Sequence, residues 1–88
     1  MDSYKNGYQL EDVRKLAEAG CIEDPVIVHH RGGFTFYFCV RKDGQLFNNC
    51  VLITVKGARP REFKKARTYT RVLKSAGIHR WRVERREE

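Results

Sequence analysis

The segment Phe34 to Arg41 alternates without a break. Phe34, Phe36, Phe38 and Val40 fall on one side, and Thr35, Tyr37, Cys39 and Arg41 on the other. A strict period of two is the signature of a strand with one face in the core. Turn residues stand at both ends. Gly32-Gly33 precedes the run and Asp43-Gly44 follows it, and the latter is the pair favoured in two-residue hairpin loops. The chain must therefore reverse on each side of this strand, which fixes an antiparallel meander as the centre of the fold.

The neighbouring segments fit that frame. Glu23-Asp24-Pro25 reads as a turn. Val26-Ile27-Val28 is β-branched and apolar on both faces, which suits a strand inside the sheet rather than at its rim. Phe47, Val51, Ile53 and Val55 line one face of a third strand, with Asn48-Asn49 as a possible bulge. Before the meander, Tyr8 to Ala19 has an apolar stripe at Leu10, Val13, Leu16 and Ala17, with Glu11 and Asp12 in the first turn and Gly20 as terminator. After it, Gly57 to Pro60 reads as a loop and Pro60 suits a first helical position. A second helix is expected over Arg61 to Ala76, burying Phe63, Ala66, Tyr69, Thr70, Leu73 and Ala76 and ending at Gly77. Ile78 to Glu84 alternates again and is expected to close the sheet, with Trp81 and Val83 on the core side and Trp81 largely buried against the second helix.

The expected fold class is α+β. It is a two-layer domain with a mainly antiparallel sheet and two helices, in the order α-β-β-β-α-β. With 88 residues there is room for a single small domain, 1–88, with 1–7 and 85–88 frayed. Apolar residues are 41%, too many for global disorder. No run approaches the ~18 apolar residues of a membrane span, and the N-terminus lacks the pattern of a secretory signal. Cys21, Cys39 and Cys50 form neither a disulfide framework nor a metal motif, and buried, reduced thiols in a cytoplasmic protein are expected.

The charge is unevenly spread. The chain has 18 Lys and Arg against 11 Asp and Glu, a formal net charge of +7. Residues 1–24 carry three basic and six acidic side chains, whereas 56–86 carry twelve basic ones against Glu62 and Glu84. A one-sided basic field attracts polyanions, nucleic acid above all. Lys64, Arg67, Arg71 and Lys74 recur at helical spacing opposite the apolar stripe. Lys56, Arg59, Arg61, Lys64 and Lys65 are expected to crowd the positive end of the helix dipole, a conflict that a phosphate would relieve. Arg59, Arg61, Lys64, Lys65, Arg67, Arg71 and Lys74 are the candidate nucleic-acid contacts. Tyr37, Arg41, Arg80 and Arg82 are a second candidate, a platform on the open sheet face for single strands.

No catalytic residue, metal site or cofactor is expected. His29 and His30 are adjacent in a strand and must point to opposite faces, and no nucleophile or carboxylate stands at usable spacing. Two other readings stay open: a protein-interaction or inhibitor module of a mobile element, docking an acidic protein or forming a homodimer, and a small ribonuclease using His29 or His30.

Two resemblances bear on this. The stretch Gly57-Ala58-Arg59-Pro60-Arg61-Glu62-Phe63-Lys64, the run Val72 to Val83 around Gly77-Ile78-His79-Arg80-Trp81, and the segments Leu16 to Ile22 and Pro25 to Val28 resemble small plasmid-borne ParC-family partition-associated proteins. That resemblance implies an accessory role in plasmid maintenance and no catalytic residues. Lys64-Lys65-Ala66 at the last helix, with the α-β-β-β-α order, is similar to double-stranded RNA-binding domains. The closing strand is extra to that pattern, and the first helix lacks its RNA-contacting residues.

Overall fold

The structure is a computed structural model that describes residues 6–56 and 59–86. It is α+β, with two helices and a mainly antiparallel sheet of six strands. The elements run β1 (Gly7–Tyr8), α1 (Leu10–Glu18), β2 (Ile22–His30), β3 (Gly33–Lys42), β4 (Gln45–Leu52), β5 (Glu62–Phe63), α2 (Ala66–Ser75) and β6 (Arg82–Arg85). The sheet order is β1-β4-β3-β2-β6, with β5 also on β3. Two short strands, β1 and β5, thus join the four expected ones. Gly7 and Arg85 lie in strands rather than in frayed ends; residues 1–5 and 87–88 lie outside the described residues, as do Gly57 and Ala58 of the expected loop.

The meander is as the turns dictate. Asp43 and Gly44 both take positive φ, 53° and 77°, between Lys42 and Gln45, which pair across the hairpin. The first hairpin turns through Arg31-Gly32, one residue earlier than expected, and Gly33 opens β3 with φ 133°. Its backbone lies against β5: an added Cβ would stand 2.3 Å from the Phe63 carbonyl oxygen.

Two irregularities change which side chains face the core. Glu23-Asp24-Pro25 is a bulge within β2, with Asp24 at φ 48°, not a turn before it. In β4 the ladder slips between Phe38 and Val40, where Asn49 has φ 58°. The bulge at Asn48-Asn49 is therefore present, and it reverses the parity behind it. Cys50 and Leu52 face the core, and Val51, expected beside Phe47, pairs with Tyr37 on the opposite face.

The core collects Ile27, Phe36, Phe38, Val40, Cys50, Leu52 and Phe63 from the strands and Val13, Tyr69 and Leu73 from the helices. The α1 stripe is as expected, with Val13 buried and Leu10, Leu16 and Ala17 packed beside it. Both helices end in a six-to-one bond across a glycine: Cys21 N–H to the Leu16 carbonyl at 2.9 Å, and Ile78 N–H to the Leu73 carbonyl at 2.9 Å.

Four expectations at the C-terminal half need correction. The helix expected from Arg61 starts at Ala66, with Lys65 in an extended conformation at its N-cap. Glu62–Phe63 instead pairs with Phe34 and Thr35, because Phe63 is drawn into the core beside Tyr69. The strand that flanks β3 is thus β4 continued by β5: the chain leaves the ladder after Leu52 and rejoins it at Glu62, with an Ile53–Pro60 bridge between the two. The closing strand is shorter than expected, Arg82–Arg85, and runs parallel to β2. Ile78, expected on the outer face, is buried in the core, since residues 78–81 are not extended strand. Trp81 is half-buried rather than enclosed, its ring edge-on to Tyr69 at 6.1 Å.

Cys50 is fully buried, and burial pushes its thiol pKa up, so the unreactive thiol form persists. Cys21 and Cys39, expected to be buried as well, are half-exposed. Titration of the native protein with a thiol-specific chromogen should release colour from Cys21 and Cys39, and from Cys50 only after denaturant is added. Equal reactivity of all three in native buffer would contradict the packing around Cys50.

Candidate nucleic-acid interface

The basic ridge is carried by α2. Arg67, Arg71 and Lys74 are all exposed and stand at i, i+4 and i+7, one stripe of the helix. Tyr69, Leu73 and Ala76 occupy the other side and are buried. The same amphipathic period that seats the helix therefore lines up its cations in solvent. Among the described residues, no carboxylate pairs with Arg67, Arg71, Lys74 or Lys65. The first turn of α2 contains no acidic residue, so Lys65 and Arg67 sit uncompensated at the positive end of the helix.

The other expected contacts are arranged differently. Because the helix begins five residues late, Arg59 and Arg61 do not reach its N-terminus. Arg59 is exposed, and its carbonyl accepts a hydrogen bond from the Thr54 N–H at 2.8 Å. Arg61 is half-buried with its guanidinium 4.9 Å from the Phe63 ring centroid, a cation–π contact. Lys64 precedes the helix, and its ammonium donates to the Gly32 carbonyl at 2.8 Å and lies 4.0 Å from Glu62. Lys64 thereby ties the start of α2 to the β2–β3 turn.

The sheet platform is only partly assembled. The pairings Arg82–Val26–Tyr37–Val51 place Tyr37 and Arg82 on the open face, and Arg41 follows Tyr37 at strand spacing. Arg80 is not among them. It precedes β6 and lines a recess with Ala17, Gly77 and His79. The two arginines that share the face are already compensated. Arg82 donates to both Asp24 oxygens at 3.0 and 3.2 Å and to Glu84 at 2.7 Å. Arg41 donates to Glu23 at 2.6 Å. The Arg82 hydrogen bonds hold the Asp24 carboxyl below its usual pKa, and Glu23 raises that of Arg41. Asp24, Arg82 and Glu84, with Val26, Val28 and Val51, border a concavity of about 470 Å³ on the open face. Its rim is mixed in charge, not basic.

Sequence reasoning missed a basic cluster at the end of the sheet. His29, His30, Arg31, Arg85 and Arg86 line one recess there, at the same end as the turn that Lys64 holds. It arises because β6 runs parallel to β2, with His29 opposite Arg85 and the Arg86 N–H on the His29 carbonyl. The only signal was the Arg85-Arg86 pair itself, since nothing local reports a pairing across so much sequence.

The two histidines point to opposite faces, as alternation requires, and each has a structural task. His29 stacks on Phe34 at 4.5 Å. His30 accepts the Gly32 N–H at Nδ1, 3.1 Å away, and its Nε2 lies 2.6 Å from the Thr35 hydroxyl, so both ring nitrogens are engaged in the hairpin. Among the described residues, no three His, Cys, Asp or Glu side chains cluster so as to hold a metal ion, and no helix is long and apolar enough to cross a membrane. Comparison with protein families, curated proteins and solved structures gives no match to this chain.

Proposed function

We propose that the protein is a two-layer α+β module that binds nucleic acid through the phosphate backbone, with low sequence specificity. The observation that carries this reading is the contrast between the two basic surfaces. Arg41 and Arg82 on the open sheet face are neutralised by Glu23, Asp24 and Glu84, whereas Arg67, Arg71 and Lys74 stand in a solvent-exposed row without a described carboxylate partner. A row of uncompensated cations along one helix face matches a row of phosphates, and phosphate contacts position a protein without reading bases. Lys65 at the helix start and Arg85 and Arg86 at the sheet end extend the same field. The resemblance to partition-associated proteins fits such a module in plasmid maintenance, in the cytoplasm.

The test is a salt titration of binding to a duplex and to a single strand. Three phosphate contacts imply a slope of about −2.7 in log K against log salt on duplex DNA. An Arg67→Ala/Arg71→Ala double variant should flatten the slope by nearly two and weaken all sequences about equally. Its fold should be unchanged, because both side chains point away from the core. If neither nucleic acid binds at low salt, the reading fails, and the ridge becomes a docking face for an acidic protein.

A further inference from the structure

The sheet ends at β6, and no described strand pairs with its outer side. We propose that this edge pairs with the same edge of a second copy, joining two sheets into one across a two-fold axis at Val83.

The backbone settles which groups are on offer. The Arg86 N–H donates inward to the His29 carbonyl. Backbone groups alternate sides along a strand, so Arg82, Glu84 and Arg86 turn theirs toward β2, and Val83 and Arg85 turn theirs outward. A two-fold dimer of edges must be antiparallel, and only outward-turned residues can form its hydrogen-bonded pairs. Pairing Val83 with Val83 of the second copy satisfies this.

The side chains select that register. With Val83 on the axis, Arg82 lies opposite Glu84 of the second copy on the open face, and Glu84 opposite Arg82. These are the closely spaced, non-hydrogen-bonded positions, where cross-strand charge pairs act most strongly. The next register in one direction sets Glu84 against Glu84 and Arg82 against Arg86. The next in the other direction sets Arg82 against Arg82. Edge strands commonly use like charges to repel other edges. Here Arg82-Val83-Glu84-Arg85 alternates in sign about an apolar residue and is complementary to its own reverse. Arg82 and Glu84 already touch within one chain at 2.7 Å, so they need only exchange partners, while Arg82 keeps Asp24. The contact also covers Val83, which is 60% exposed although β-branched and apolar. Arg80 and Arg86 meet beyond the paired segment, and their repulsion limits the ladder to its centre.

Sedimentation equilibrium on the full chain tests this. The wild type should show a reversible monomer–dimer equilibrium. Val83→Pro removes an outward N–H and no bond to β2, and proline is tolerated at such an edge position. It should shift the protein to monomer with an unchanged circular dichroism spectrum. Arg82→Glu and Glu84→Arg should each be monomeric alone, because each sets like charges against each other across the axis. An equimolar mixture of the two variants should form a heterodimer, because one chain then offers two carboxylates on the open face and the other two guanidinium groups. A wild type that stays monomeric at every concentration overturns the proposal. So does a folded Val83→Pro variant that dimerises as readily as the wild type. Neither result depends on nucleic-acid binding, so this proposal and the proposed function fail separately.

Discussion

A Phe36→Ala variant should lose about 3–5 kcal/mol of stability. Phe36 is fully buried at the centre of β3, stacked on Phe38 with ring centroids 5.1 Å apart. The sheet and both helices contribute to the cluster around it, so the space left by the ring cannot collapse from one side. Small domains have total stabilities of order 5 kcal/mol, and each kcal/mol moves the melting temperature by roughly 4–8 °C. Thermal melts followed by far-ultraviolet circular dichroism should therefore show a midpoint far below that of the wild type, or no cooperative transition. A loss under about 1 kcal/mol would mean that Phe36 is not enclosed as described.

Gly33→Ala should be almost as damaging, for a different reason. Gly33 has φ 133°, where residues with a side chain are strained by about 1–3 kcal/mol. The added methyl would also stand 2.3 Å from the Phe63 carbonyl, a backbone atom that moves only if β5 moves. Displacing β5 displaces the start of α2, to which it leads directly. Gly44→Ala is the control. Gly44 also has positive φ, 77°, but an added Cβ meets nothing within 4 Å, so only the conformational cost of about 1–2 kcal/mol applies. Urea denaturation of the two variants separates strain from collision. Equal losses would show that the approach of Phe63 to Gly33 carries no cost.

The features legible in the sequence were those with a local cause. The alternation around Phe36, the Asp43-Gly44 hairpin and the Val13 stripe of α1 depend on residues within a few positions of one another, and each is found where the pattern placed it. The misreadings have non-local causes. Pro60 and Arg61 looked like a helix start because nothing nearby shows that Phe63 fits against Gly33. The β4 bulge at Asn48-Asn49 was visible, but its effect on parity was not, so Val51 was placed on the face of Phe47. For the candidate interface, Arg67, Arg71 and Lys74 lie on one exposed stripe because helical spacing is local geometry. Arg59 and Arg61 lie elsewhere because they depended on the helix boundary. The compensation of Arg41 and Arg82 could not be read from spacing, since Glu23 and Asp24 reach them only once the strands pair.

The parallel pairing of β6 with β2 has a consequence for synthesis on the ribosome. The β2–β3–β4 meander joins near neighbours and can form as soon as it leaves the exit tunnel, whereas Val26 must wait for Arg82 and Ile27 for Val83. Until that last strand emerges, one side of Val26-Ile27-Val28 remains an unsatisfied apolar edge on an otherwise formed sheet, the kind of surface that recruits other nascent chains. Slow translation of the segment between β4 and β6 would lengthen that exposure, and a holding chaperone acting on this protein would find its grip at β2.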